Sequence, residues 1–184
     1  MALAAATNCW TNSVQVIVAT LPQCASFRSL TGAADANAAA EFVKQKTKVP
    51  DNLEEYFGLD ELEATKCWAL VCTPIVNPYR KVLQPSSSRV FAGFGRVVVL
   101  IARTLTPTDI SRFDSVQHEE DREFENKVGD LIGEMIAYVD DQQTLGIRSV
   151  EVTEATVRVR PSQRESRGNL QFATLLIDWE GLGG

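Results

Sequence analysis

The chain has one histidine, four cysteines that form no CxxC pair, and no charged side chain before Arg28. Each scarcity removes a class of function. With His118 as the only histidine, any Ser-His-Asp or Cys-His mechanism would have to run through it. Its setting, QHEEDREFE at the start of a helical pattern, reads instead as an exposed, solvated ring. Cys9, Cys24, Cys67 and Cys72 have no histidine cluster beside them, which leaves zinc and redox motifs without support. Buried free thiols are the expectation, because a disulfide framework is out of place in a chain of this length without a secretion signal.

The uncharged first 27 residues raise the question of a leader or a membrane span. No Lys or Arg supplies a positive n-region, and Thr7, Asn8, Thr11, Asn12, Ser13, Gln15, Pro22 and Gln23 interrupt the apolar run. The expectation is a protein made inside the cell with no membrane partner. A phosphate loop is missing as well. Gly93-Phe94-Gly95 lies inside a strand pattern without a following GK[ST], and reads as a bulge or a close backbone approach. Gly129 and Gly133 have GxxxG spacing on a helix charged along its other face, which predicts close packing of soluble helices rather than a membrane dimer. No catalytic residue, metal ligand or cofactor is assigned, and the chain is not read as an enzyme.

What remains is an ordinary globular composition. The 184 residues are 45% hydrophobic and 23% charged, with a formal net charge of −6. That fits a single domain with a helical N-terminal part over residues 1–48 and a sheet-and-helix core over 64–184. A general nucleic-acid binder would more often be basic.

Val14, Ile17, Val18 and Leu21 fall at helical spacing, with Thr11, Asn12 or Ser13 as caps and Pro22 as a stop. Gly32 separates a short turn-like piece from an alanine-rich segment that predicts a second helix over 34–46. CWALVC, residues 67–72, is too short an apolar run for a helix and predicts a strand buried on both faces. Pro85 and the following serines mark a turn into a long strand over 90–105, apolar on both faces from Val97 to Ile101. Phe124, Val128, Leu131, Ile132, Met135, Ile136 and Val139 then form a stripe within 114–141, opened by a capping box of Asp114 with Gln117.

Two last strands are expected at 148–160 and 169–180. In the first the apolar phase slips: Val150 and Val152 lie on one face, Ala155, Val157 and Val159 on the other, which predicts a bulge near Glu154. The order of elements predicts an α+β fold, an antiparallel or mixed sheet packed by the long helix, with helices at the N-terminus.

Charge distribution is more informative than any motif. Residues 51–63 hold six acidic side chains, Glu54, Glu55, Asp60 and Glu61 among them, and no basic one. Residues 148–167 hold five arginines, Arg148, Arg158, Arg160, Arg164 and Arg167, against three glutamates. Patches of opposite sign can meet head to tail in neighbouring subunits, and a heterologous contact that closes makes a ring. Pairing within one chain is the competing reading. As candidate interface residues the two patches supply Arg158, Arg160, Arg164, Arg167, Glu54, Glu55, Asp60 and Glu61.

The succession CASFRSLTGAADANAAAEFV, KCWALVCTP, RVVVLIA, EFENKVGDLIGEMIAYV and LQFATLLIDWEGL resembles small neck and tail-completion proteins of tailed bacteriophages, most nearly the tail terminator that caps the tail tube. The resemblance is one of pattern and order from about residue 14 onward. It implies an α+β subunit of a homohexameric ring in the virion neck, assembled in the host cytoplasm. Its partners would be itself, the tail tube protein and the head-tail connector or stopper proteins, and genomic DNA would pass through the lumen without specific binding. No chemistry is implied; interfaces carry the function, and the finger around Arg158–Asn169 would touch a neighbouring subunit, tube or neck protein. A stopper or head-tail adaptor would present the same pattern. Two other classes stay open: a small hydrolase with Cys67, Cys72 or a serine as nucleophile and His118 as base, and a non-viral adaptor that binds peptides through the finger.

Overall fold

A computed structural model describes residues 9–46, 67–72, 81–85, 91–105, 116–142, 146–161 and 169–183. It is an α+β fold: N-terminal helices, a mixed sheet, and one long helix packed on that sheet.

Helix α1, Cys9–Thr20, is followed by a 3-10 turn, Leu21–Gln23, that carries Pro22. The helix begins before Thr11, Asn12 and Ser13, so these lie inside it and do not cap it. Polar residues are tolerated there because Val14, Ile17 and Leu21 still define a buried stripe. The segment expected to be turn-like is helix α2, Ala25–Thr31. Gly32 ends it at φ 68, and the bonds Gly32 N–H to Ser29 O (3.4 Å) and Ala33 N–H to Arg28 O (3.0 Å) form a Schellman motif.

The helix expected over 34–46 is also corrected. Helix α3 covers only Ala36–Ala40, capped by Asp35, whose carboxylate accepts from the Ala38 N–H at 2.9 Å. Val43–Lys46 is strand β1, parallel to β2 (Trp68–Cys72) with Val43 opposite Ala69. Alanine propensity carries a helix to residue 40. Beyond it, the ladder offered by β2 outweighs local preference.

The remaining strands are β3 (Lys81–Pro85), β4 (Phe91–Leu105), β5 (Ile147–Pro161) and β6 (Asn169–Gly183), with helix α4 (Val116–Gln142) between β4 and β5. The sheet order is β1-β2-β4-β6-β5, and β3 pairs with β4 end to end with β2. Apart from β1 with β2, neighbours are antiparallel. The expected strands at 67–72 and 90–105 and the long helix are present. The irregularity expected at Gly93–Gly95 falls on the partner strand, between Val82 and Gln84.

Alternation along the strands sorts side chains onto two faces. On the helix side, Val97, Val99 and Ile101 of β4, Leu175 and Ile177 of β6, and Ala69 and Val71 of β2 meet Phe27, Phe124, Leu131 and Met135. On the reverse side, Leu70, Cys72, Val98, Leu100, Ala102 and Leu170 form a second buried cluster to which no described helix contributes. The expected close packing at Gly129 and Gly133 does not occur among the described residues. Both glycines are exposed, and a Cβ at either would meet nothing within 4 Å. Helix α2 instead meets α4 on another side, where Glu134 accepts from the Ser26 N–H (3.0 Å) and Ser26 Oγ (2.8 Å). Glu134 thereby serves the first turn of α2 from a distant part of the chain.

Candidate interaction surface

The predicted bulge is present, and it resolves the phase slip. The register of β5 against β6 shifts between Val152 and Glu154, leaving Thr153 as the extra residue. Val150 and Val152 before it, and Val157 after it, therefore pack on the same helix-side core rather than on opposite faces. The other face of β5 carries Glu151, Glu154, Thr156 and Arg158, all polar.

Thr153 is held in place by a network that spans three strands. Arg96 of β4 donates through Nε to Asp178 Oδ1 at 2.6 Å and through Nη2 to Asp178 Oδ2 at 2.8 Å. The same Nη2 reaches Thr153 Oγ1 at 3.3 Å, and Thr153 Oγ1 donates to the Leu176 carbonyl at 3.3 Å. A bidentate guanidinium fixes orientation as well as distance, so the point where β5 changes phase is pinned from the middle of the sheet. Sequence reading missed this cluster. Its signal was an arginine at the head of an apolar run, RVVVLIA, and an aspartate inside another, LLIDWE.

At the far end of the hairpin, Arg158 is exposed on the reverse face opposite Phe172. On the helix side of the same region, Arg103 Nε donates to Gln171 Oε1 at 2.7 Å while its guanidinium lies 5.4 Å from the Phe124 ring centre. That contact fastens the start of β6 beneath α4. Nearby, Lys127 Nζ sits 2.7 Å from Glu123 Oε1, and its hydrogen bond holds the exposed Glu123 carboxyl below its usual range.

Of the candidate interface residues, only the Arg158 side chain is described. Arg160 lies in β5, but its side chain is outside the described residues, as are Arg164, Arg167, Glu54, Glu55, Asp60 and Glu61. The meeting of the acidic and basic patches, the Asp114 cap and the His118 ring also fall outside them.

The cysteines are free thiols where described. Cys24, Cys67 and Cys72 are buried, and burial pushes each thiol from 9.0 up to about 12. A nucleophilic thiol needs a thiolate, and Cys67 and Cys72 hold almost none at neutral pH. Among the described residues no group of His, Cys, Asp and Glu is arranged to hold a metal ion, and no helix is long and apolar enough to cross a membrane. No protein-family model matches the sequence, and no curated protein shows significant similarity to it.

Proposed function

We propose that the chain is a structural virion protein of a tailed phage, a tail terminator that caps the tail tube as a homohexameric ring at the head-tail junction and joins the tail to the head-completion proteins. The observation that carries this reading is the β5–β6 hairpin. It is a long antiparallel ladder, pinned at its bulge by Arg96 and Asp178, whose far end presents Arg158 to solvent on the face away from the helices. A rigid ladder with a charged reverse face is suited to recognising another protein surface, since preorganisation lowers the ordering cost of binding. The α+β element order agrees with what the resemblance implies. In this reading the basic finger meets an acidic stretch of a neighbouring subunit, and the ring, acidic in net charge, lets genomic DNA pass without specific binding.

The test is to mix the purified chain with tail tube protein and with connector and stopper proteins, and to follow co-sedimentation and mass at low and high salt. Six copies stably bound per tube end, weakened by salt, are expected. Binding to the connector side alone would assign the neighbouring stopper or adaptor role, and no engagement with any of these proteins would overturn the reading.

A further inference from the structure

Among the described residues the sheet is bounded on one side by the short strands β1, four residues, and β3, five residues, and on the other by β5 with fifteen. Among the described residues β5 pairs only with β6, so its outer side presents a row of backbone donors and acceptors with no ladder to join. After the bulge the strand is regular, and its five residues Glu154-Ala155-Thr156-Val157-Arg158 are accessible. Glu154, Ala155 and Arg158 are exposed, while Thr156 and Val157 are half-buried. Neither Glu154 nor Arg158 takes part in an ion pair among the described residues.

This segment is complementary to itself when run backwards. We propose that the outer edge of β5 is a docking site for a second copy of this chain, joined antiparallel about a twofold axis through Thr156. Residues directly opposite one another in such a pair share a face of the sheet. Glu154 then faces Arg158 of the second copy and Arg158 faces its Glu154, giving two opposite-charge pairs on the reverse face. On the helix side, Ala155 meets Val157 of the second copy, twice, which covers apolar atoms that helix α4 leaves accessible. Thr156 meets its own counterpart at the axis. The contact is isologous and closes at two copies, so it does not propagate as open edges do. The bulge at Thr153 ends the regular segment on one side and Pro161, which lacks an N–H, marks the end of the strand on the other.

This pairing needs only the edge and does not rest on the neck reading. If both hold, Arg158 serves the twofold contact in the free chain and the ring contact on the tube, and the two assemblies are alternative states.

The experiment is sedimentation of the full chain and three charge variants, with oxidative cross-linking of Thr156→Cys. The wild-type chain should sediment as a reversible dimer. Glu154→Arg and Arg158→Glu each turn two attractions into two repulsions and should weaken dimerisation by roughly tenfold or more. The double variant exchanges the charges and should return to within about threefold of the wild type. Thr156→Cys should give a covalent dimer on mild oxidation where the wild type does not. A monomer at all concentrations, single variants that dimerise like the wild type, or a double variant no better than the singles would each overturn the pairing. A free hexamer without Thr156→Cys cross-links would overturn it too, yet leave the neck reading standing. A cross-linked dimer that ignores tube and neck proteins would support the edge and defeat the neck reading.

Discussion

The two faces of the sheet are made by the same strands and serve different ends. On the helix side the apolar stripe runs the whole width, from Ala69 in β2 through Val99 and Leu175 to Val150 in β5, and it is closed by Phe27, Phe124, Leu131 and Met135. On the reverse side the buried cluster is made by β2, β4 and Leu170 of β6, with Trp68, Phe172 and Leu176 packed against it, while Arg96 and Asp178 beside it and Glu154 and Arg158 on β5 make the rest of that face polar. Central strands are apolar on both faces and the long edge strand is amphipathic. Both faces thus carry buried apolar side chains at the central strands, and only the reverse side of β5 is free to be charged and specific.

High pH acts on both faces at once, because both hold buried thiols: Cys24 and Cys67 on the helix side, Cys72 on the reverse. Their folded values near 12 lie above the usual 9.0, so the folded chain keeps protons that the unfolded chain loses. That contribution is complete below pH 9.0 and is lost as pH rises toward about 12. Urea midpoints should fall steadily over this range, and substitution of the three cysteines by alanine should flatten the slope.

A more local break is Leu131→Ala, which removes a fully buried side chain from beneath the helix and should cost about 2–5 kcal/mol in chemical unfolding. Thr156→Ala, on the reverse face of the edge strand, should stay within about 0.5 kcal/mol. Equal losses would show that the edge is as much part of the core as the helix face. Next in size is Glu134→Ala, which strips the first turn of α2 of two hydrogen bonds and should cost about 1–3 kcal/mol, with faster amide exchange in α2 than in β4. Smallest is Arg96→Ala. The pair with Asp178 is about a third exposed on each side, so the global loss should be about 1 kcal/mol or less. Its sharper readout is local: chemical shifts at Thr153 and Leu176 should move while those at Leu131 do not.

Much of this arrangement was legible in the sequence, for reasons of range. The stripe of α4, the both-face burial of 67–72 and 97–101, and the bulge near Glu154 are periodicities that a window of a dozen residues contains. Helix α2 was less visible because Phe27 and Leu30 make only a fragment of a stripe over seven residues, although Gly32 did announce its end. Strand β1 was hidden because its ladder partner Ala69 is remote in sequence from Val43, and nothing local to Val43–Lys46 specifies it. The Arg96–Asp178–Thr153 network likewise joins three strands that only the fold brings together. At the candidate surface, the alternation of Arg158 with its valine neighbours could be read locally, but which face it joins required knowing that the bulge restores the phase.

Without Thr153, residues 150–160 would read V-E-V-E-A-T-V-R-V-R, a strand in strict alternation. The bulge therefore takes up one extra residue without scrambling either face. A strand flanked on both sides would have to realign two ladders; among the described residues β5 has only β6 to accommodate. The outer edge of this sheet is accordingly where the chain can gain or lose a residue with least damage to the core, and deleting Thr153 should yield a folded protein with a straighter edge.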